Sequence, residues 1–479
     1  MNFKNLLIAL SLISFVVLSA QEGNYKFENY GSRSILLSGS VTGSVEDLEL
    51  AYYNPARLAQ VDNPIFSINA KAYQWNLIKI RDAFDDEEEL KSSQFGGIPS
   101  MLVGAFKIKK WEKHQFAYSF ITKSRSNYNL SFDSGLREED IIDIVPGPEE
   151  INSVTSLGNN LKEEWFGLSW AMPIDSTFSV GASLFGSTYR LNSSNNRRVS
   201  IDTEEGVIAY NQLISFTQKS YGVFAKLALA WKLDKMDLGL TVSLPYLAVY
   251  NKGKFSYEEV LAGSGSDLDF LTKVGFNDLD SNRRVPLSIA VGAGIPIGRT
   301  TISANLEWYS GTGNYRRINI PSFDRDESNE QLDELSFNLN EELRSIVNFA
   351  VGVEFFISER LKGYGSFSTD FSAYKDNPNI FDLIDQTEED INFRQDYYHV
   401  GGGVELIFNW ANLILGANFA QASANFRSPE PLPLEYITTS STNGASLINT
   451  RWQFIIGIDI PFLDDLNPLT RKEPEELDE

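Results

Sequence analysis

Three acidic side chains stand inside apolar runs of the chain and could form buried ion pairs. They are Glu354, Glu405 and Asp459, and each lies three residues before the end of its run. Burying a carboxylate is costly unless a cation faces it. The candidate cations are Arg33 and Arg57, from the N-terminal part of the chain. Such pairs either hold that segment in place as static salt bridges or act as gating contacts that a substrate or partner weakens.

Catalytic and metal-binding chemistry find little support in the residue types. The chain has two histidines, His114 and His399, and no cysteine. A Ser/His hydrolase would therefore have to use His399. Residues 278–282, DLDSN, space oxygen ligands as a calcium loop does, but Arg283 stands where that loop needs glycine. The sequence predicts no enzyme, no catalytic residue, no metal site and no cofactor.

The elements that carry the charges are predicted to be strands, because apolar residues recur at every second position. In the last such run Trp452, Phe454, Ile456 and Ile458 alternate mostly with polar or small residues. A period of two places the apolar side chains on one face of a strand. The run 236–250 follows the same pattern, with one face made of Leu238, Leu240, Val242, Leu244 and Tyr246.

Fourteen runs of this kind follow one another through the chain. They are 64–79, 98–109, 114–132, 161–173, 176–191, 218–233, 236–250, 283–297, 299–317, 343–357, 360–374, 393–408, 411–427 and 447–462. Short connections alternate with long acidic ones at 133–160, 251–282, 318–342, 375–392 and 428–446. An even number of strands with short turns at one end and long loops at the other is typical of bacterial outer-membrane barrels.

A soluble β-sandwich is the alternative to a membrane barrel. Strands of globular proteins average about 5–6 residues, and the runs here cover 12 to 19 residues. Their second face is mostly Gly, Ser, Ala, Thr and Asn with few charges, which suits a lumen. The sequence therefore predicts an all-β fold, a 14-stranded antiparallel transmembrane β-barrel over residues 64–462.

The two ends of the chain differ in composition from the strand region. Residues 1–20 combine Lys4, an apolar run and a small Ser19-Ala20 end, which is the layout of a secretory signal peptide. Residues 463–479 form an acidic tail, which we expect to lie in the periplasm. The formal net charge of −23 argues against a nucleic-acid partner.

Residues 21–63 precede the first run and show weak periodicity. A fourteen-stranded barrel has a lumen too wide for its own side chains to fill, so another segment must plug it. Residues 52–59 read YYNPARLA, in which Asn54-Pro55 is a turn signal. We predict that residues 21–63 form an N-terminal plug, or hatch, inside the lumen. Asn54, Pro55 and Ala56 would make the turn that returns the plug to the wall.

A plug segment, an NPA turn and fourteen amphipathic strands together resemble the FadL/TodX family of outer-membrane transporters for hydrophobic compounds. The resemblance implies a hatch that carries the NPA motif, an outer hydrophobic groove and an inner pocket. It also implies sideways exit through a wall opening at a kinked strand. The chain departs from the family before the NPA turn, where YGSRSILLSGSVTGSV is poorer in glycine than the family's usual segment.

The same resemblance implies passive uptake of hydrophobic small molecules, such as long-chain fatty acids or hydrocarbons. The transporter would be a monomer surrounded by outer-membrane lipid. Ligands of this kind need an apolar cleft with few polar groups. Phe185 and Phe224 have lumen parity and could line that cleft, and Lys226 is the candidate partner for a carboxylate. The alternative function is a barrel that serves as scaffold or shuttle component of a secretion or surface-attachment complex.

Overall fold

The computed structural model describes most of the strand region and most of the segment before it. The described residues are 23–26, 28–45, 47–61, 66–81, 89–133, 135–139, 149–204, 206–264, 269–324, 334–337, 339–374, 395–409, 411–427 and 444–460. The predicted signal peptide and the predicted acidic tail lie outside them.

Two short α-helices and one 3₁₀ helix precede the strands. They are α1 (Ser32–Leu36), α2 (Leu50–Tyr53) and the 3₁₀ helix Pro55–Gln60. Gly31 precedes α1 with a φ of 92°, a conformation that favours glycine. The Asn54 side chain accepts a hydrogen bond from Ala56 N at 3.1 Å, and Pro55 takes the first helical position, where no N–H partner is needed. Asn54, Pro55 and Ala56 therefore form a capped turn.

The rest of the described chain is almost entirely β-strand. The strands are β1 (Phe66–Arg81), β2 (Glu89–Phe106), β3 (Gln115–Asp133), β4 (Arg137–Glu139), β5 (Glu149–Pro173), β6 (Phe178–Thr203), β7 (Gly206–Lys232), β8 (Asp237–Ser243), β9 (Leu247–Ala262), β10 (Phe270–Asp280), β11 (Ser288–Ile297), β12 (Thr300–Tyr309), β13 (Thr312–Ile318), β14 (Phe323–Asp324), β15 (Glu334–Leu335), β16 (Leu339–Leu343), β17 (Ile346–Ser358), β18 (Leu361–Asp370), β19 (Tyr397–Ile407), β20 (Asn412–Arg427) and β21 (Gly444–Ile460).

Antiparallel pairing runs from each wall strand to the next and returns to the first. β21 pairs with β1 from Phe66↔Ile460 to Arg81↔Ser446. β8 and β9 both pair with β7 and together occupy one position in the wall, and β10 and β11 occupy the next. Counted in this way, the described strands fill fourteen wall positions, with β4 and β13–β16 outside the count. The predicted antiparallel 14-stranded fold is confirmed.

Side chains alternate between the two faces of the wall as the period of two predicts. On β17, Val347, Phe349 and Val351 are 39 to 48% exposed, while Asn348 and Ala350 between them are buried. Apolar side chains on the outside of a closed sheet suit contact with lipid, since polar ones would be costly there. One assignment is wrong: Tyr246 is buried and points inward, because the strand is interrupted at residues 244–246 between β8 and β9.

Several strands extend further than predicted, into segments assigned to loops. β5, β6 and β7 have 25, 26 and 27 residues, or about 80–90 Å of strand at 3.3 Å per residue. A bilayer core is about 30 Å thick, so these strands project well beyond it. The predicted loops 133–160 and 251–282 are wrong over 149–160, 251–262 and 270–280, which are strand.

The N-terminal segment lies inside the ring of strands. α1 contacts β18, β19, β20, β21 and β1, and the 3₁₀ helix contacts β3, β5, β6 and β7 on the other side. Tyr30, Leu36, Leu50 and Leu58 of this segment are at most 1% exposed. The predicted plug is therefore present in the lumen, and we use that name for residues 23–61.

Among the described residues, the helices are all too short to cross a bilayer.

Candidate functional site

Four aromatic rings meet where α2 of the plug faces the wall. We call this group, Tyr52, Trp165, Phe185 and Phe224, the inner aromatic pocket. The ring centroids of Trp165 and Phe224 are 4.4 Å apart, and those of Trp165 and Phe185 are 5.3 Å apart. Tyr52 lies 6.0 Å from Trp165 and 6.2 Å from Phe185. The sequence-predicted residues Phe185 and Phe224 are thus close together, and their proposed role in binding stays a prediction.

Lys226 lies beside this pocket on the inward face of β7. Its Nζ is 3.7 Å from the centroid of the Tyr52 ring, and the residue is 8% exposed. Cation–π contact of this kind stabilises an ammonium by roughly 0.5–2 kcal/mol. In the described part of the chain, Lys226 Nζ has neither a hydrogen-bond nor an ion-pair partner. A buried ammonium with spare donors beside aromatic rings can bind an anionic group that arrives with an apolar body.

Other polar groups border the pocket and are already paired. Lys26 of the plug forms an ion pair with Glu307 of β12. Lys123 Nζ donates to Tyr30 Oη at 3.0 Å and lies 5.6 Å from the Trp165 ring centroid. The cavity between these groups is about 50 Å³, roughly the space of one or two water molecules. A hydrocarbon ligand would therefore need side chains or plug residues to move.

A larger apolar groove opens in the wall beside the same tryptophan. β2 and β3 pair only from Met101↔Ile121 to Phe106↔Phe116, and the register between β3 and β5 shifts between Thr122 and Ser124. From Thr122 to its C-terminal end, β3 therefore pairs with β5 alone among the described strands. A groove of about 820 Å³ lies at this divergence, and Trp165 lines both it and the inner cavity.

A second aromatic cluster lies nearer the ends of the long strands. We call Phe255, Tyr257, Phe323 and Phe337 the outer aromatic cluster. Phe255 and Phe337 have ring centroids 5.0 Å apart, and Tyr257 and Phe323 are 5.3 Å apart. Phe323 belongs to β14 and Phe337 follows β15, so the segment between β12 and β17 folds over the inner face of β9.

Arg33 ties the plug to two of the three acids singled out in the sequence. Its Nη2 lies 2.5 Å from Glu405 Oε1 and 3.2 Å from Asp459 Oδ2, and its Nη1 lies 3.2 Å from Asp47 Oδ2. Tyr364 Oη donates a further hydrogen bond to Glu405. One plug cation therefore faces three carboxylates, two of them from β19 and β21.

The remaining predicted charges do not join this group. Glu354 forms an ion pair at 2.7 Å with Lys362 of the neighbouring strand β18. Arg57 Nη2 lies 3.0 Å from Asp237 Oδ2 at the start of β8, and Arg57 Nε donates to Val45 O. The three acids are thus not a single ring closed by plug cations, although Arg57 does connect the plug to the wall.

The plug carboxylates Asp47 and Glu49 fix its fold from within. Glu49 accepts hydrogen bonds from Ser32 N, from Ser34 N at 2.9 Å and from Ser34 Oγ at 2.6 Å. Burial raises the pKa of Glu49, and burial likewise raises the pKa of Asp47 to about 6, against the opposing effect of Arg33. The Ser34 hydrogen bonds favour the ionised form of Glu49, and Arg33 favours that of Asp47, each against the effect of burial.

Sequence reasoning missed Tyr52, Trp165 and Lys123 as pocket residues. The signal for Trp165 was available, since it shares inward parity with Glu163 and Gly167 on β5. Tyr52 belongs to the NPA segment, but nothing in its local sequence shows that the ring faces Lys226. That contact depends on how the plug sits in the barrel.

Comparison with solved structures supports this architecture. The Pseudomonas putida toluene transporter TodX matches with a TM-score of 0.56 and 13% identity over 91% of this chain and 99% of TodX. The chain adopts the TodX barrel fold. The Ralstonia pickettii toluene transporter TbuX matches with a TM-score of 0.51 and 13% identity, over 90% of this chain and 98% of TbuX. CymD, a monoaromatic hydrocarbon channel, matches with a TM-score of 0.50 and 12% identity, over 91% and 98%.

The predicted resemblance to FadL/TodX proteins is confirmed for the fold. No protein-family model matches the sequence, and no curated protein sequence shows significant similarity to it.

Proposed function

We propose that this chain is an outer-membrane channel for passive uptake of hydrophobic small molecules. The observation that carries the proposal is Lys226, a buried lysine with spare donors beside the inner aromatic pocket. Apolar walls would hold the body of a ligand and the ammonium would hold an anionic head group. Long-chain fatty acids have this chemistry. TodX, TbuX and CymD, which share the fold, are described as transporters or channels for toluene or monoaromatic hydrocarbons.

The proposed ligand route uses the inner cavity and the wall groove, because Trp165 lines both. A ligand would reach the inner aromatic pocket from the outer aromatic cluster and leave through the groove where β2 and β3 diverge. Exit at that height would deliver an apolar molecule into the surrounding lipid. We further propose that residues 1–20 are a signal peptide, that residues 463–479 are a periplasmic tail and that the protein acts as a monomer.

Mass spectrometry of lipids that co-purify in mild detergent tests the proposal. We expect bound fatty acid in the wild type and its loss in Lys226→Ala. Lys219→Ala is the matched control, because Lys219 lies on the same strand with the opposite parity. Bound fatty acid should remain in that variant. A protein free of lipid in all three samples would contradict the channel proposal and favour the scaffold alternative.

A further inference from the structure

The outer aromatic cluster and the inner aromatic pocket are separated by a layer of buried polar side chains. Along β5 the inward residues are Leu161, Glu163 and Trp165, so one acid lies between a residue packed on the outer cluster and one of the inner pocket. On β6, Ser187 lies between Phe185 and Tyr189. Inward residues two apart on a strand are about 6.6 Å apart, so the layer is one side chain thick.

Glu163 and Arg283 form the centre of this layer. Arg283 Nη2 lies 2.9 Å from Glu163 Oε1, with the two side chains 3% and 0% exposed. Glu163 Oε1 also accepts from Trp165 Nε1 at 2.6 Å and from Ser187 Oγ at 3.0 Å. The Arg283 guanidinium lies 4.0 Å from the centroid of the Tyr189 ring. Glu163 is therefore hydrogen-bonded to Trp165 of the inner pocket. Arg283 packs on Tyr189, which shares a hydrophobic core with the outer aromatic cluster, and its guanidinium also lies 4.9 Å from the ring centroid of Tyr246.

Further polar contacts extend the layer across the lumen. Gln218 Oε1 and Tyr189 Oη each accept from Arg317 Nη2 at 3.1 Å. Arg317 also pairs with Glu341 of β16 at 3.3 Å, and Ser220 Oγ lies 2.7 Å from Tyr246 Oη. An apolar molecule that moves from one aromatic group to the other along β5, β6 and β7 would have to displace these contacts.

We propose that Glu163 and Arg283 are a polar gate that favours ligands with an anionic head group over neutral hydrocarbons. Pulling a buried ion pair apart leaves both charges uncompensated, which is strongly unfavourable. A ligand carboxylate can replace Glu163 as the anionic partner of Arg283, whereas a hydrocarbon cannot. Arg283 Nη1 and Nη2 are buried and have no hydrogen-bond partner among the described residues, so they can donate to the incoming head group before Glu163 leaves.

Below the gate, Lys226 can receive the same head group, so the inference rests on the proposed function. The gate proposal goes further than the proposed function, because it assigns ligand selectivity to passage between Glu163 and Arg283, before the ligand reaches the inner pocket. It also predicts that neutral hydrocarbons, the ligands named for TodX and CymD, enter this chain slowly.

Stopped-flow quenching of Trp165 by brominated ligands tests the gate, since Trp165 lies directly beneath it. The ligands are 11-bromoundecanoate and 1-bromoundecane, presented to the purified full-length protein in the same detergent. Trp165→Phe identifies the Trp165 part of the signal from the chain's eight tryptophans. In the wild type we expect the acid to quench at least tenfold faster than the alkane. In Glu163→Gln/Arg283→Met we expect the ratio of rates to fall below threefold, chiefly because the alkane enters faster.

Lys273→Met/Glu258→Gln is the matched control, an ion pair at 2.6 Å between β10 and β9 whose side chains are 69% and 30% exposed. Its ratio should equal that of the wild type. Glu163→Gln alone serves as a milder second variant, because its amide oxygen can still accept from Trp165. Equal rates for the two ligands in the wild type, or an unchanged ratio in both gate variants, would overturn the gate but leave uptake standing. Absence of Trp165 quenching by either ligand would overturn the proposed function as well.

Discussion

The plug meets the wall with a different balance of ion pairs and hydrogen bonds on its two sides. At α1 the contact includes Arg33 with the wall carboxylates of Glu405 and Asp459, and a hydrogen bond from Ser366 Oγ to Leu36 O at 2.6 Å. Around the 3₁₀ helix there is one ion pair, Arg57 with Asp237, and the other polar contacts include hydrogen bonds in which wall hydroxyls donate to plug carbonyls. These bonds run from Ser179 Oγ to Ala56 O at 2.9 Å, from Ser183 Oγ to Ala51 O at 2.8 Å and from Thr241 Oγ1 to Tyr53 O at 2.9 Å.

The difference indicates which side of the plug can be released. Neutral hydrogen bonds between backbone and hydroxyl contribute about 1 kcal/mol each and hold the backbone at one distance. A buried ion-pair cluster is sensitive to any competing charge, and removal of one member leaves the others unpaired. On the 3₁₀ side three of these neutral hydrogen bonds accompany one ion pair, whereas at α1 three carboxylates share one cation. We therefore expect the 3₁₀ side to act as the fixed attachment and the Arg33 side to be the one that loosens.

Arg33→Met should give the largest loss of stability. It leaves Glu405, Asp459 and Asp47 without their common cation, which typically costs about 3–5 kcal/mol for a buried pair. The measurement is the free energy of unfolding in urea, with refolded protein in the same detergent. Arg33→Lys keeps the charge and should lose much less. An unfolding curve of Arg33→Met that matches the wild type would show that the Arg33 ion pairs do not hold the plug in the barrel.

Gly181→Val tests the close approach of the 3₁₀ helix to the wall. A Cβ at Gly181 would lie 2.6 Å from the carbonyl carbon of Pro55 and 2.7 Å from Ala56 Cα, so the plug backbone would have to shift. Overpacking of this kind costs about 1–3 kcal/mol. Gly186→Val on the outer face of the same strand is the control, because the nearest atom of the described residues to its Cβ, Phe166 O, is 3.9 Å away. If both variants unfold alike, the 3₁₀ helix is not held tightly against β6.

Asn54→Ala should have a smaller effect, about 0.5–2 kcal/mol, because it removes the cap of the 3₁₀ helix. It also removes donors to Thr42 O at 2.9 Å and Leu229 O at 3.2 Å. Asn54→Asp separates the two contributions, since the carboxylate still accepts from Ala56 N but donates nothing. Urea unfolding of the wild type, Asn54→Ala and Asn54→Asp measures the contribution of the cap and that of the two donated hydrogen bonds. Equal stability of Asn54→Asp and wild type would assign the whole effect to the cap.

Much of the wall could be predicted from the sequence, because lipid on one side and a lumen on the other impose a strict alternation. The run 343–357 is an example, and β17 covers Ile346–Ser358. Outside the bilayer that constraint disappears. Residues 192–203, NSSNNRRVSIDT, are the outer half of β6 but show little apolar alternation. Their pairing with β7 is visible only in three dimensions.

The candidate site was only partly predictable for a related reason. The alternation of side chains along β7 correctly predicts that Phe224 and Lys226 point into the lumen, since this alternation depends on one strand alone. Which plug residue meets them depends on docking between segments about 170 residues apart, and Tyr52 carries no local mark of it. The partner of Arg57, Asp237, was missed for the same reason. Proline at position 245 was the available sign that β8 and β9 are separate.

Glu354→Gln should have the smallest effect on the free energy of unfolding. It tests a wall carboxylate that does not pair with the plug. Glu354 has the same position in its strand as Glu405 and Asp459, but it pairs with Lys362 on the wall and does not contact Arg33 among the described residues. The two side chains are 25% and 31% exposed, so the pair contributes less than about 1 kcal/mol. Urea unfolding should show a change well below that of Glu405→Gln. A loss as large as that of Glu405→Gln would mean that the height of a carboxylate in the barrel, rather than its contact with the plug, determines its contribution.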